Sequence, residues 1–184
     1  MRQSGIVSFF DAIPDPRRGE GQRHDKTFIL LLTLMSIMCG ANGYRAVGDF
    51  IKTNRAALLR SFKPHKDRLP SFDTVRRLLI SIDFNQLSDA FYAWAKTKVR
   101  LRKGEWLSMD GKALGGTMSN YKGPQQRFLI LVSMYCSRSG LSLALSKVDS
   151  SKQSEGAVVP ALIEALGIQG VVFTLDALHC QKKQ

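Results

Sequence analysis

Glu105-Trp106-Leu107-Ser108-Met109-Asp110-Gly111-Lys112 is the point at which the chain changes its pattern. Upstream, apolar residues recur at the spacing of helical turns. Downstream, they alternate or run together as strands do. The stretch itself reads as a short strand from Glu105 to Met109, ending at Asp110-Gly111-Lys112. Arg127–Cys136 follows as a nearly continuous apolar run. Leu141–Val148 then alternates, with Leu141, Leu143 and Leu145 on one side and Ser142, Ala144 and Ser146 on the other. Ser137–Gly140 supplies a turn between them, so a hairpin is expected. Ser154 and Glu155 open a helix from Glu155 to Leu166 that Gly167 ends. Val171–Leu175 is a buried strand closed by Asp176. Strand, strand, strand, helix, strand predicts an α/β (α+β) layer with a mixed sheet.

Working back toward the N-terminus, the pattern is helical. Asp25 is an N-cap for a helix that starts at Lys26 and runs through the apolar stretch Phe28–Ala41, with Gly40, Asn42 and Gly43 ending it. That stretch is shorter than the roughly 20 residues a membrane span needs, so it is read as a buried core helix. Tyr44–Arg60 is a second helical segment. Pro64 and Pro70 bracket a basic loop. Ser71 caps Phe72–Ile80, which carries Phe72, Val75, Leu78 and Leu79 on one side and Arg76-Arg77 on the other. Asp83–Val99 is another amphipathic helix, with Phe84, Leu87, Phe91, Trp94 and Ala95 turned inward. The resulting division is a helical region, residues 1–105, and a strand-rich region, residues 106–184.

Charge follows the same division. The 184 residues carry 27 Lys+Arg and 15 Asp+Glu, a net of +12. Residues 1–105 hold 19 basic and 10 acidic residues, a net of +9; the remainder holds 8 and 5, a net of +3. A basic excess of this kind favours a polyanionic partner, nucleic acid before a membrane surface. Hydrophobic residues at 44% exclude a disordered or collagenous chain. Cys39, Cys136 and Cys180 form no CxxC pair, which argues against a zinc ribbon or disulfide framework and fits a reducing compartment. His24 and His65 have no partner at zinc-ligand spacing, and neither a P-loop nor a GxSxG elbow is present.

Two sets of residues carry candidate function. The first is basic: Arg17, Arg18 and Arg23 in a Pro/Gly-rich segment, Lys63, Lys66 and Arg68 in the loop, and Arg76 and Arg77 on the capped helix. The N-terminal group reads equally as a DNA-contacting arm or as a disordered leader. Tyr44–Arg60 and Phe72–Ile80, two helices joined by a Pro-containing turn with Arg76-Arg77 on the second, read equally as a helix-turn-helix or as a plain bundle with a solvated basic face. The second set is Asp110 and Asp176, each placed where the chain leaves an apolar strand. If the first and fourth strands are neighbours, these carboxylates meet, and a cation between them relieves their repulsion. Mg²⁺ or Mn²⁺, hard ions that prefer oxygen, suit such a pair.

Four stretches resemble a known family. Phe9-Phe10-Asp11-Ala12-Ile13-Pro14-Asp15-Pro16-Arg17-Arg18 and Gly43-Tyr44-Arg45-Ala46-Val47-Gly48-Asp49-Phe50 resemble the N-terminal segments of DDE-type insertion-sequence transposases of the H-repeat group associated with Rhs elements. Met109-Asp110-Gly111-Lys112 resembles the first-Asp motif. Thr174-Leu175-Asp176-Ala177-Leu178-His179-Cys180-Gln181 resembles the second. The resemblance implies a ribonuclease H-like catalytic fold behind a helical DNA-binding region. It implies Mg²⁺- or Mn²⁺-dependent cleavage and transfer of DNA strands, with Asp110 and Asp176 as the first two acidic metal ligands. Lys112 and Gln181 lie in the matching motifs without an assigned role. The implied partners are terminal inverted repeats and target DNA, with a homo-oligomer on paired ends, in a prokaryotic cytoplasm at the nucleoid and not at a membrane. The family also needs a third acidic ligand on a later helix. Only Ala177–Gln184 follow Asp176, and none is acidic. The expectation is therefore an N-terminal portion of a transposase, inactive as it stands. The alternative is a non-catalytic DNA-binding module that competes with intact transposase.

Overall fold

The structure is a computed structural model and describes residues 5–119, 127–149, 160, 163–164 and 167–175. Its elements are α1 (Ile6–Ala12), α2 (Lys26–Met38), α3 (Tyr44–Thr53), α4 (Arg55–Phe62), α5 (Phe72–Ser81), α6 (Phe84–Lys98), β1 (Trp106–Ser119), β2 (Arg127–Cys136), β3 (Leu141–Asp149) and β4 (Val172–Thr174). The class is α+β, as expected. Two compact units divide between Leu87 and Ser88, inside α6 and upstream of the change in composition. The reason is visible in α6 itself: Ala95, with Val99 just beyond the helix, belongs to the core of the sheet.

In the helical unit the elements start and stop where local chemistry requires. The Asp25 carboxylate accepts the Phe28 N–H at 2.8 Å, capping α2. Ile29, Leu30 and Leu32 are buried, and the buried hydroxyls of Thr33 and Ser36 donate to the carbonyls of Ile29 and Leu32. Gly40, with φ +87°, ends the run in a conformation that favours glycine. The Ser71 hydroxyl accepts the Thr74 N–H and starts α5, whose Val75 and Leu78 are fully buried. Burial of each such side chain contributes about 1.5–3 kcal/mol. No described helix is long and apolar enough to cross a membrane.

Three helical expectations change. Tyr44–Arg60 is two helices: the chain breaks at Asn54, whose side-chain amide donates to the Phe50 carbonyl and ties off α3. The link from α4 to α5 runs from Lys63 to Ser71 and contains a 3₁₀ turn at His65–Asp67. That is longer than the three or four residues of a helix-turn-helix. The N-terminal segment is not a disordered leader: α1 buries Phe9 and Phe10, and Ile13 behind it is almost fully enclosed. The buried ammonium of Lys26 donates to the carbonyls of Asp11 and Ile13, fixing that segment to α2.

The sheet has the order β3-β2-β1-β4, with β1, β2 and β3 antiparallel and β4 parallel to β1. Leu107, Met109, Val132, Met134 and Cys136 form its buried face. The hairpin appears as expected, but the alternation of β3 does not hold. Leu143 and Ala144 are both buried, because the register with β2 shifts between Met134 and Tyr135. Val172 and Leu175 are each more than a third exposed, so the last strand is not buried throughout. The expected helix Glu155–Leu166 lies mostly outside the described residues; Pro160, Ile163 and Glu164 are helical.

Candidate functional site

Asp110 stands in the middle of a long strand and not at a strand end. β1 continues past it because its residues keep pairing with β2, Asp110 opposite Ser133 and Lys112 opposite Leu131. Alternation puts Leu107 and Met109 on the buried face and Ser108, Asp110 and Lys112 on the other. Asp110 and Lys112 are exposed. On the other side of β1, β4 pairs in parallel: Trp106 with Val172, Leu107 with Phe173, Ser108 with Thr174. The Thr174 hydroxyl donates to the Leu107 carbonyl at 3.4 Å and lies 3.0 Å from the Ser108 hydroxyl, locking this register. The pairing with β4 stops just before Met109 and Asp110. Asp176, Cys180 and Gln181 lie outside the described residues.

One hydroxyl lies against the backbone of Asp110. Ser133 Oγ donates a long bond, 3.5 Å, to its backbone carbonyl. Among the described residues no group bonds its carboxylate, and no cluster of three or more His, Cys, Asp or Glu side chains exists.

The basic residues separate into two groups. Arg17, Arg23, Arg68 and Arg77 line one cavity of about 700 Å³ in the helical unit, together with His24 and Arg55. Arg18, Lys63, Lys66 and Arg76 are exposed and do not line it. Arg17 is a brace: its guanidinium bonds both Asp15 carboxylate oxygens at 2.9 and 2.8 Å and reaches the Gly21 carbonyl. That hydrogen bonding holds the Asp15 carboxyl below its ordinary value against the opposing pull of burial. Burial, reinforced by the charges of Arg23, Arg17 and Arg68, lowers the His24 imidazole below its ordinary value. Arg55 donates to the Asp67 carbonyl and Arg77 to the Asp73 carbonyl. Arg55 escaped the sequence reading because it looked like one residue inside a longer helix. The Asn at position 54, a good cap type, was the signal that α4 starts there.

Residues 7–95 match the family described as DDE_Tnp_1-associated. A protein of Xanthobacter autotrophicus, known as the uncharacterized protein in the dhlA 3′ region, is 31% identical over 95% of this chain and 58% of its own length. YhhI of Escherichia coli K12, provisionally named an H repeat-associated transposase, is 27% identical over 99% of this chain and 47% of its own length. The chain resembles the H-repeat group of DDE-type transposases. YncI of Escherichia coli K12, also provisionally named a transposase, is 26% identical over 99% of this chain and 72% of its own length. The chain thus spans about half the length of several of the relatives it matches. The matched family region covers α1 to α5 and most of α6, whereas Asp110 and Asp176 lie beyond it.

Proposed function

We propose that this chain serves DNA transposition, with its sheet as the ribonuclease H-like layer of a DDE transposase and Asp110 and Asp176 as acidic ligands of Mg²⁺ or Mn²⁺. One observation carries the reading. The separation in sequence that pairs Trp106 with Val172 and Ser108 with Thr174 is the same as the separation between Asp110 and Asp176. Were the chain to continue in that register, the two carboxylates would stand side by side on adjacent parallel strands. Their mutual repulsion then favours a cation between them.

Bound there, a hard dication would supply charge neutralisation and positioning for attack on a phosphodiester. The protein's own contribution is geometric. The β1–β2 pairing holds Asp110 at a fixed height in the sheet, and the Ser108–Thr174 contact fixes β4 against slippage. Catalysis by the family's mechanism calls for a third carboxylate, which is sought in proteins with the full length of the relatives.

The basic cleft of the helical unit favours a second reading, a DNA-binding module without chemistry. One experiment separates the two: titration of the purified chain with Mn²⁺, followed by paramagnetic broadening. Asp110→Asn and Asp176→Asn should each weaken Mn²⁺ binding at least tenfold, while duplex DNA affinity stays unchanged. Manganese binding that neither substitution weakens would sink the metal-site reading and leave the DNA-binding module.

A further inference from the structure

We infer that the arginine-lined cleft of the helical unit is a binding site for the phosphodiester backbone of duplex DNA, gripped chiefly by Arg23 and Arg68. This rests on the reading that DNA is the partner, and it names the chemistry by which the partner is held. Among the described residues, Leu69 is the one large apolar side chain in the lining. A site for an apolar small molecule has the opposite composition. Glu20 and Asp67 also line the cleft. Arg17 is neutralised by Asp15. That leaves Arg23, Arg55, Arg68 and Arg77 against two carboxylates, an excess of positive charge.

The four are not equivalent. Arg55 and Arg77 each have one guanidinium N–H spent on a backbone carbonyl, which fixes their direction and leaves other donors over. Arg23 and Arg68 make no hydrogen bond or ion pair among the described residues and are exposed. Each guanidinium offers five N–H donors in a planar fork that matches two phosphate oxygens at once. The cleft is also too large for a lone anion. At about 30 Å³ for a water molecule, its roughly 700 Å³ has room for a run of sugar and phosphate.

The backbone holds this arrangement before any ligand arrives. Lys66 and Asp67, immediately before Arg68, have φ of 56° and 49°, left-handed values for residues with a Cβ. Such a conformation costs roughly 1–2 kcal/mol per residue and persists only where neighbours hold it. The Arg55 bond to the Asp67 carbonyl is one such hold. The loop is thereby fixed with Arg68 facing the same cavity as Arg23.

The test uses the whole chain and a 20-base-pair duplex of arbitrary sequence, with binding measured by fluorescence anisotropy over a range of salt. Arg23→Gln/Arg68→Gln is compared with Lys63→Gln/Lys66→Gln, which removes equal charge outside the cleft. The cleft variant should lose at least tenfold more affinity than the control. Its log–log salt slope should fall by about two, one for each lost phosphate contact. Circular dichroism should show both variants folded, since none of the four side chains is buried. In parallel, the His24 imidazole resonances should move when DNA is added to the wild type and stay still in the cleft variant. Equal losses in the two variants, with DNA still bound, would overturn this inference alone. No duplex binding by the wild type would overturn the DNA reading and the inference together. His24 shifts with inorganic phosphate that DNA does not displace would make the cleft a small-anion site and overturn the inference.

Discussion

In the helical unit, the polar contacts that shape the chain are mostly made between near neighbours: Asp25 with Phe28, Ser71 with Thr74, Asp15 with Arg17. In the sheet unit, they join residues far apart: Ser108 with Thr174, Glu105 with Arg138, Ser88 with Leu145. The first unit therefore takes much of its form from short windows of sequence. The second depends on register between distant strands, and its candidate carboxylates inherit that dependence. A slip of one residue would move Asp110 to the opposite face.

Truncating the sheet core should give the largest stability effect. Met134 is fully buried between β1 and β3, so Met134→Ala should cost about 2–5 kcal/mol, read as a lower urea midpoint. A loss under about 1 kcal/mol would mean that the sheet is not the tightly packed member of the pair.

Gly48 breaks the tidy contrast, because it is a long-range contact inside the local unit. A Cβ built at this position would stand 2.6 Å from the Phe72 Cβ, where α3 crosses α5. Gly48→Ala gains up to about 1 kcal/mol in helix propensity, but the overlap should leave a net loss of roughly 1–3 kcal/mol. A more stable variant in thermal melting would show that α3 and α5 have room between them.

Asp15→Asn sharpens the local side and has the smallest effect. Arg17 depresses the folded-state Asp15 pKa, so this stabilisation is present above the ordinary carboxylate pKa and is lost as pH falls through the folded value. At neutral pH the substitution should cost up to about 1 kcal/mol. The difference in Tm between variant and wild type should shrink progressively below about pH 4. A difference that is constant from neutral pH to acid would assign the effect to packing.

The contrast also explains what could be read from the sequence. The caps at Asp25 and Ser71, and the hairpin between Cys136 and Leu141, were legible because each rests on a few adjacent residues. The break at Asn54 was missed because the apolar spacing carries on across it. The extent of β1 was missed because Asp110-Gly111-Lys112 looks like a turn, whereas the chain stays extended by pairing with Ser133, Val132 and Leu131. The gathering of Arg23, Arg55, Arg68 and Arg77 around one cavity had no local signature. These residues come from four separate stretches that only the packing of the helices brings together. The adjacency of β1 and β4 was the condition for the two carboxylates to meet, and it appears in the sheet order.

That parallel pairing bears on the order of assembly. A chain made from its N-terminus presents the helices first, and their mostly local contacts can form as they emerge. β1 then waits through β2 and β3 for a partner 66 residues later, as the separation of Ser108 and Thr174 measures. Closing a loop of that size is slow compared with forming a hairpin. Until it closes, one side of β1 is an open edge able to recruit a strand from another nascent copy. The surface that carries Asp110 is therefore completed only after β4 has been made, and it is open to mispairing until then.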